Sequence, residues 1–161
     1  MFTGDRSGDF LFAALHRTGF ANQPTSTGRD DGLRLNGAWV TAPVKCAPPA
    51  NKPTPRERDT CRPYLEKEVS IIRPKVFVAL GAFGYQVLCG VLGMAAPPRF
   101  AHGVEAPLED RWVLGSYHVS QQNTFTGKLT EPMFDAVLVR ARELASAGAA
   151  QPSSAPSSLA P

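Results

Sequence analysis

The sequence predicts an α/β domain in three layers, with helices on both faces of a mainly parallel sheet. Two apolar runs, Lys75-Val76-Phe77-Val78-Ala79-Leu80 and Arg111-Trp112-Val113-Leu114-Gly115-Ser116-Tyr117, lack the alternation of half-exposed strands and read as strands buried on both faces. Each precedes a helical pattern: Tyr85, Leu88 and Leu92 follow the first, and Met133, Phe134, Val137, Leu138 and Leu144 follow the second. Strands alternating with helices build a sheet covered on both sides, whose ligands bind at loops after the carboxyl ends of strands.

At the start, Phe10, Leu11, Ala14 and Leu15 recur at helical spacing, Ser7 or Asp5 can cap the helix, and Gly19 supplies a stop. Ala38-Trp39-Val40-Thr41 reads as a buried strand, after which Pro43 and the proline-rich stretch from Cys46 to Pro53 force an extended loop. Thr54-Pro55-Arg56-Glu57 is a capping box opening a helix with Leu65, Val69 and Ile72 on its apolar stripe, which Pro63 should kink or divide. Gly81 marks the turn after the first strand. The second strand ends at His118, a polar loop runs through Lys128, and Thr130 caps the last helix.

With 161 residues, 43% of them hydrophobic, the chain predicts one domain over residues 1–145. Residues 146–161 are Ala, Ser, Pro, Gly and Gln without charge, apart from Leu159, and read as a disordered tail. An N-terminal helix with no strand before it is unusual for such a fold, where the first strand is commonly central. It predicts that the start of the domain lies outside this sequence.

The formal charge of +3 suits a nucleic-acid partner without requiring one. No apolar stretch is long enough to span a bilayer and no signal peptide is visible, so a cytoplasmic protein is expected. Neither a phosphate-binding loop nor a dinucleotide fingerprint occurs, which removes support from nucleotide-cofactor enzymes.

Cys46 and Cys61, fourteen residues apart across a proline-stiffened loop, could be half of a metal site or two unrelated thiols; two thiolates complete neither an iron–sulfur nor a zinc shell. Cys89, among Val87, Leu88 and Val91, reads as a small buried hydrophobe. His118 stands where a strand gives way to hydroxyls, amides, Gly127 and Lys128. It could donate to a substrate or be structural. His16 reads as a surface residue and His102 as part of a turn beside Gly103. Asp5 precedes a helix and could cap it or stand near a substrate.

Five stretches in order, FTGDRSGDFLFAAL, VKCAPPANKPTP, RPYLEKE after Cys61, VFVALG and YHVSQQNTFTGKLT, together resemble the iron–sulfur uracil-DNA glycosylases. Ala42, Asp5 and Asn51 make the chain similar to the family 5, or type B, branch. The resemblance implies a DNA-repair enzyme that flips uracil, or another deaminated base, out of DNA and hydrolyses its N-glycosidic bond as a monomer.

It further implies that Phe2 stacks on the flipped base and that Asn51 contacts it or supports the site. Asp5 would position water or stabilise the sugar cation, and His118 would stabilise the leaving base. Ser120, Gln121, Asn123 and Lys128 would press on the DNA, with Phe125 or Gln121 as a wedge. Cys46 and Cys61 would be two of four ligands of a structural [4Fe–4S] cluster. The family's Gly-X-Ala-Pro strand and two further cysteines are not in these 161 residues. The alternative expectation is therefore an inactive remnant that at most binds DNA.

Overall fold

The computed structural model describes residues 4–48 and 52–147. In chain order they form α1 (Arg6–Arg17), α2 (Pro55–Ile72), β1 (Val76–Leu80), α3 (Gly81–Val91), β2 (Glu105–Leu108), β3 (Arg111–Ser116), α4 (Gln121–Phe125) and α5 (Glu131–Ala147). The sheet order is β1-β3-β2; β1 runs parallel to β3 from the Val76–Trp112 pair to the Leu80–Ser116 pair, and β2 runs antiparallel to β3. The sheet is thus mixed rather than mainly parallel. β2 has no alternation to betray it and carries Pro107, which an edge strand tolerates because no neighbour needs that missing N–H.

Helices cover both faces. Phe77, Ala79 and Val113 pack with Tyr85, Leu88 and Cys89 of α3, whereas Val76, Val78, Trp112 and Leu114 pack with Val137, Ala141 and Leu144 of α5. The two-residue period of each strand therefore feeds two cores. A third cluster joins α1 to α5 through Leu11, Phe12, Leu15, Phe134 and Leu138. Outside it, Arg17 grips Asp135 through two nitrogens at 2.8 and 2.9 Å.

α1 is capped by Asp5, whose Oδ1 accepts from the Gly8 N–H at 2.7 Å, rather than by Ser7. The capping box at Thr54 and Glu57 forms as the sequence predicts. Pro63 neither divides α2 nor ends it: the helix continues from Pro55 to Ile72, and Pro63 lies on its exposed side, where water can serve the carbonyl left without a donor. Ala38–Thr41 is not a strand. No described strand lies alongside to complete a ladder, and Trp39 is 63% exposed. The expected polar loop after His118 contains the short helix α4, and α5 runs to Ala147, two residues beyond the boundary that composition suggests.

β3 is the strand paired on both edges, and Val113 to Ser116 are all buried. Beyond β2, residues 101–104 continue along it: Gly103 N–H donates to the Gly115 carbonyl at 2.8 Å and Gly115 N–H to the Val104 carbonyl at 2.9 Å. A Cβ at Gly115 would lie 2.7 Å from Val104 Cγ1 and 3.0 Å from the Ala101 carbonyl oxygen. The loop can approach so closely because position 115 has no side chain. Gly115→Ala is expected to push this loop off the strand and cost about 1–3 kcal/mol, the usual range for overpacking. Denaturant unfolding checks this, and an unchanged midpoint would show that the loop yields freely.

Candidate active site

The site forms where β3 ends. His118, two residues past the strand, is half-buried, and its side chain packs on the turn from β1 into α3. A methyl group at Gly81 would sit 3.2 Å from His118 Cβ, and Gly81 also has φ +85°, so close approach and backbone shape both favour glycine there. The His118 carbonyl accepts from Asn123 Nδ2 at 2.8 Å. Burial pushes the imidazole pKa below its ordinary value, in favour of the uncharged ring.

The following segment is organised by its own backbone. The Ser120 carbonyl accepts from the N–H groups of Asn123 and Thr124 at 3.0 and 3.1 Å, opening α4. Gln121 is exposed, while Asn123 spends its amide on His118. Lys128 is exposed with its Nζ 4.9 Å from the centre of the Tyr117 ring, a cation–π contact beside His118.

The start of α1 reaches the same region. The Arg6 guanidinium lies 5.4 Å from the centre of the Phe125 ring, joining the first turn of α1 to the last residue of α4. Phe125 remains 66% exposed. Asp5, at the cap, commits Oδ1 to Gly8 and is exposed. Phe2 and Asn51 lie outside the described residues.

A cleft of about 750 Å³ runs along β1, lined by Val76 to Leu80, His118, Leu11, Leu15 and residues 37–43. The outer edge of β1 has no strand partner among the described residues.

The cysteines form a separate centre. Cys61, buried in α2, accepts from the Lys45 N–H at 3.4 Å through Sγ, which brings the loop bearing Cys46 onto the helix. A second tie holds the same loop: Lys45 Nζ contacts the Glu68 carboxylate at 2.7 Å, and Thr41 Oγ1 donates to it at 2.5 Å. Burial alone would raise the Glu68 pKa, yet these bonds hold it below the ordinary carboxylate value. Cys46 is exposed. Among the described residues no group of three or more His, Cys, Asp or Glu gathers as a metal site. Cys89 is buried and burial raises its thiol pKa, which keeps it protonated and inert.

Sequence reasoning missed Arg6, Tyr117 and Gly81 as parts of this site, since each acts through a partner distant in the chain.

The model of the uracil DNA glycosylase superfamily matches residues 1–142. A type-5 uracil-DNA glycosylase of Mycobacterium bovis is 51% identical over 150 residues, covering 90% of this chain and 56% of that protein. One from Thermus thermophilus is 47% identical over 148 residues, covering 89% of this chain and 67% of that protein. A type-4 uracil-DNA glycosylase of Archaeoglobus fulgidus matches over only 58 residues, at 43% identity, covering 35% of this chain and 29% of that protein. The chain thus spans between about half and two thirds of the length of its type-5 relatives. A family match across nearly all of the described residues and about half-identity to type-5 enzymes place this chain in the uracil DNA glycosylase superfamily.

Proposed function

We propose that the protein excises uracil, and other deaminated bases, from DNA by hydrolysing the N-glycosidic bond of a flipped nucleotide. The observation that carries this is a half-buried His118 held at a strand end, next to Tyr117, whose ring meets the exposed Lys128. Relatives named type-5 uracil-DNA glycosylase, similar over nine-tenths of the chain, support the substrate.

When the bond from the base nitrogen to the sugar C1′ breaks, its electron pair stays on the base and positive charge is left on the sugar. An N–H of His118 donates to a carbonyl oxygen of the departing base, and such an aimed donor is worth about 3 kcal/mol. Asp5, with Oδ1 committed to Gly8, offers Oδ2 to the sugar cation or to the water that adds to C1′. Phe2 and Asn51 hold the base, while Ser120, Gln121 and Lys128 engage the DNA backbone and Phe125 fills the gap in the stack. Cys46 and Cys61 would be two of the four thiolates of a [4Fe–4S] cluster, whose role here would be structural. Bound, it would staple the 41–48 loop to α2, and the N–H bond to Cys61 Sγ supports that reading.

The direct test is uracil release from a U·G duplex under single-turnover conditions. His118→Ala is expected to slow release about 10²-fold or more with DNA affinity changed only a few-fold, because its bond strengthens in the transition state. Undiminished rates would remove His118 from the reaction, and no release by the unaltered protein would overturn the function.

Lys128→Ala is expected to do the reverse. Binding should weaken on every sequence and the salt dependence should lose about one phosphate contact. An unchanged salt slope would place Lys128 off the DNA.

For the cysteines, a form of the protein as long as its type-5 relatives, with two further cysteines, is expected to carry about four irons per chain when purified without oxygen. Cys46→Ala or Cys61→Ala should lose them, and Cys89→Ala should keep them. Iron retained after loss of both Cys46 and Cys61 would overturn the ligand assignment.

A further inference from the structure

We infer that His102 is a positioning residue for His118, acting through the hydrogen bond that its Nδ1 accepts from the backbone N–H of Tyr117. Its structural half stands on contacts alone; its kinetic half rests on the glycosylase reading above.

The β1–β3 ladder ends at the pair Leu80–Ser116 and the β2–β3 ladder at Leu114, so among the described residues no strand lies beside the backbone beyond Ser116. Side chains take over. Tyr117 N lies 3.2 Å from His102 Nδ1, and the His118 carbonyl accepts from Asn123 at 2.8 Å. The N–H of the residue before His118 and the carbonyl of His118 itself are thus each held by a side chain.

The donor assignment follows from valence. A backbone amide only donates, so Nδ1 presents its lone pair and the ring proton sits on Nε2. Ser116 Oγ also lies 3.5 Å from Nδ1, but its single hydrogen is directed at the Tyr117 carbonyl at 3.0 Å. Tyr117 N–H therefore has this acceptor to itself.

His102 is itself tied to β3. Its neighbours Gly103 and Val104 are bonded to both backbone groups of Gly115, which has no room for a Cβ. Its ring also packs on that of Tyr117, with centroids 5.1 Å apart. The loop thereby carries the rigidity of β3 forward by two residues, to the imidazole resting on Gly81. A reacting group displaced by about 1 Å can lose about 10²-fold in rate.

The test compares the unaltered protein with His102→Ala and His102→Asn, since Asn can present Oδ1 near the position of Nδ1. In the unaltered protein, nitrogen-15 NMR is expected to show a through-bond coupling between Tyr117 N and His102 Nδ1. A protonated Nδ1, or no coupling, overturns the bond. In His102→Ala the His118 imidazole resonances should shift or broaden, and in His102→Asn they should return toward their original positions. Single-turnover release should fall at least 10-fold for Ala and stay within a few-fold for Asn, with DNA affinity little changed in both. Equal losses in Ala and Asn, or undisturbed His118 resonances in Ala, overturn the positioning role, and should Ala fail to fold, Asn and the coupling still decide. Coupling and resonance shifts as expected in a protein that releases no uracil would uphold the clamp and reject the glycosylase reading.

Discussion

The site depends on one constraint: the backbone of β3 must find hydrogen-bond partners beyond the point where its ladders stop. Buried amides and carbonyls left unpaired cost about 1–3 kcal/mol each. Up to Ser116 the sheet meets that demand, with β1 on one edge and β2 followed by residues 103–104 on the other. Past Ser116 it is met by His102 and Asn123, one before the expected catalytic imidazole and one after it. Both faces of the sheet serve the same end, because the cores against α3 and α5 fix β3 between them.

Charge pairs then set how the outer elements attach. Arg140 reaches from α5 to Glu105 of β2 at 2.8 and 3.0 Å, and Arg17 joins α1 to α5. The Glu105 carboxyl is held below its ordinary pKa by Arg140, so its unfolded form takes up protons first as pH falls. Its contribution to stability is present above the ordinary carboxylate value and fades as pH drops through the lowered one. The first loop is braced by Asp31, whose carboxylate accepts from the N–H groups of Leu33, Gly28 and Thr27, which lowers its pKa to about 2. That loop supplies the Ser26 carbonyl to Gly4 N–H, so the residue before Asp5 is anchored from outside α1.

Local physics made much of this legible. The apolar spacing from Phe10 to Leu15, the Thr54–Glu57 box and the run at β1 each state their element within a few residues, and the structure has all three. His118 was visible because a titratable ring at a strand end is conspicuous. What failed depended on distant partners. Ala38–Thr41 has strand composition without a described strand beside it, and β2 is short, carries a proline and exists because β3 pairs with it. His102 read as a turn residue because its bond reaches a backbone amide fifteen positions away and requires the bare surface of Gly115. Asp5 was ambiguous in sequence between cap and site; the structure makes it an exposed cap whose Oδ1 accepts from Gly8.

The central claim, that the end of β3 holds an imidazole aimed at a departing base, is tested most directly by the structure of the full protein on a duplex carrying 2′-fluoro-2′-deoxyuridine, whose glycosidic bond resists cleavage. The account expects the uracil outside the stack with a carbonyl oxygen about 3 Å from a nitrogen of His118, the reach a hydrogen bond requires. A uracil left in the duplex, or flipped into a pocket out of reach of His118, would contradict it.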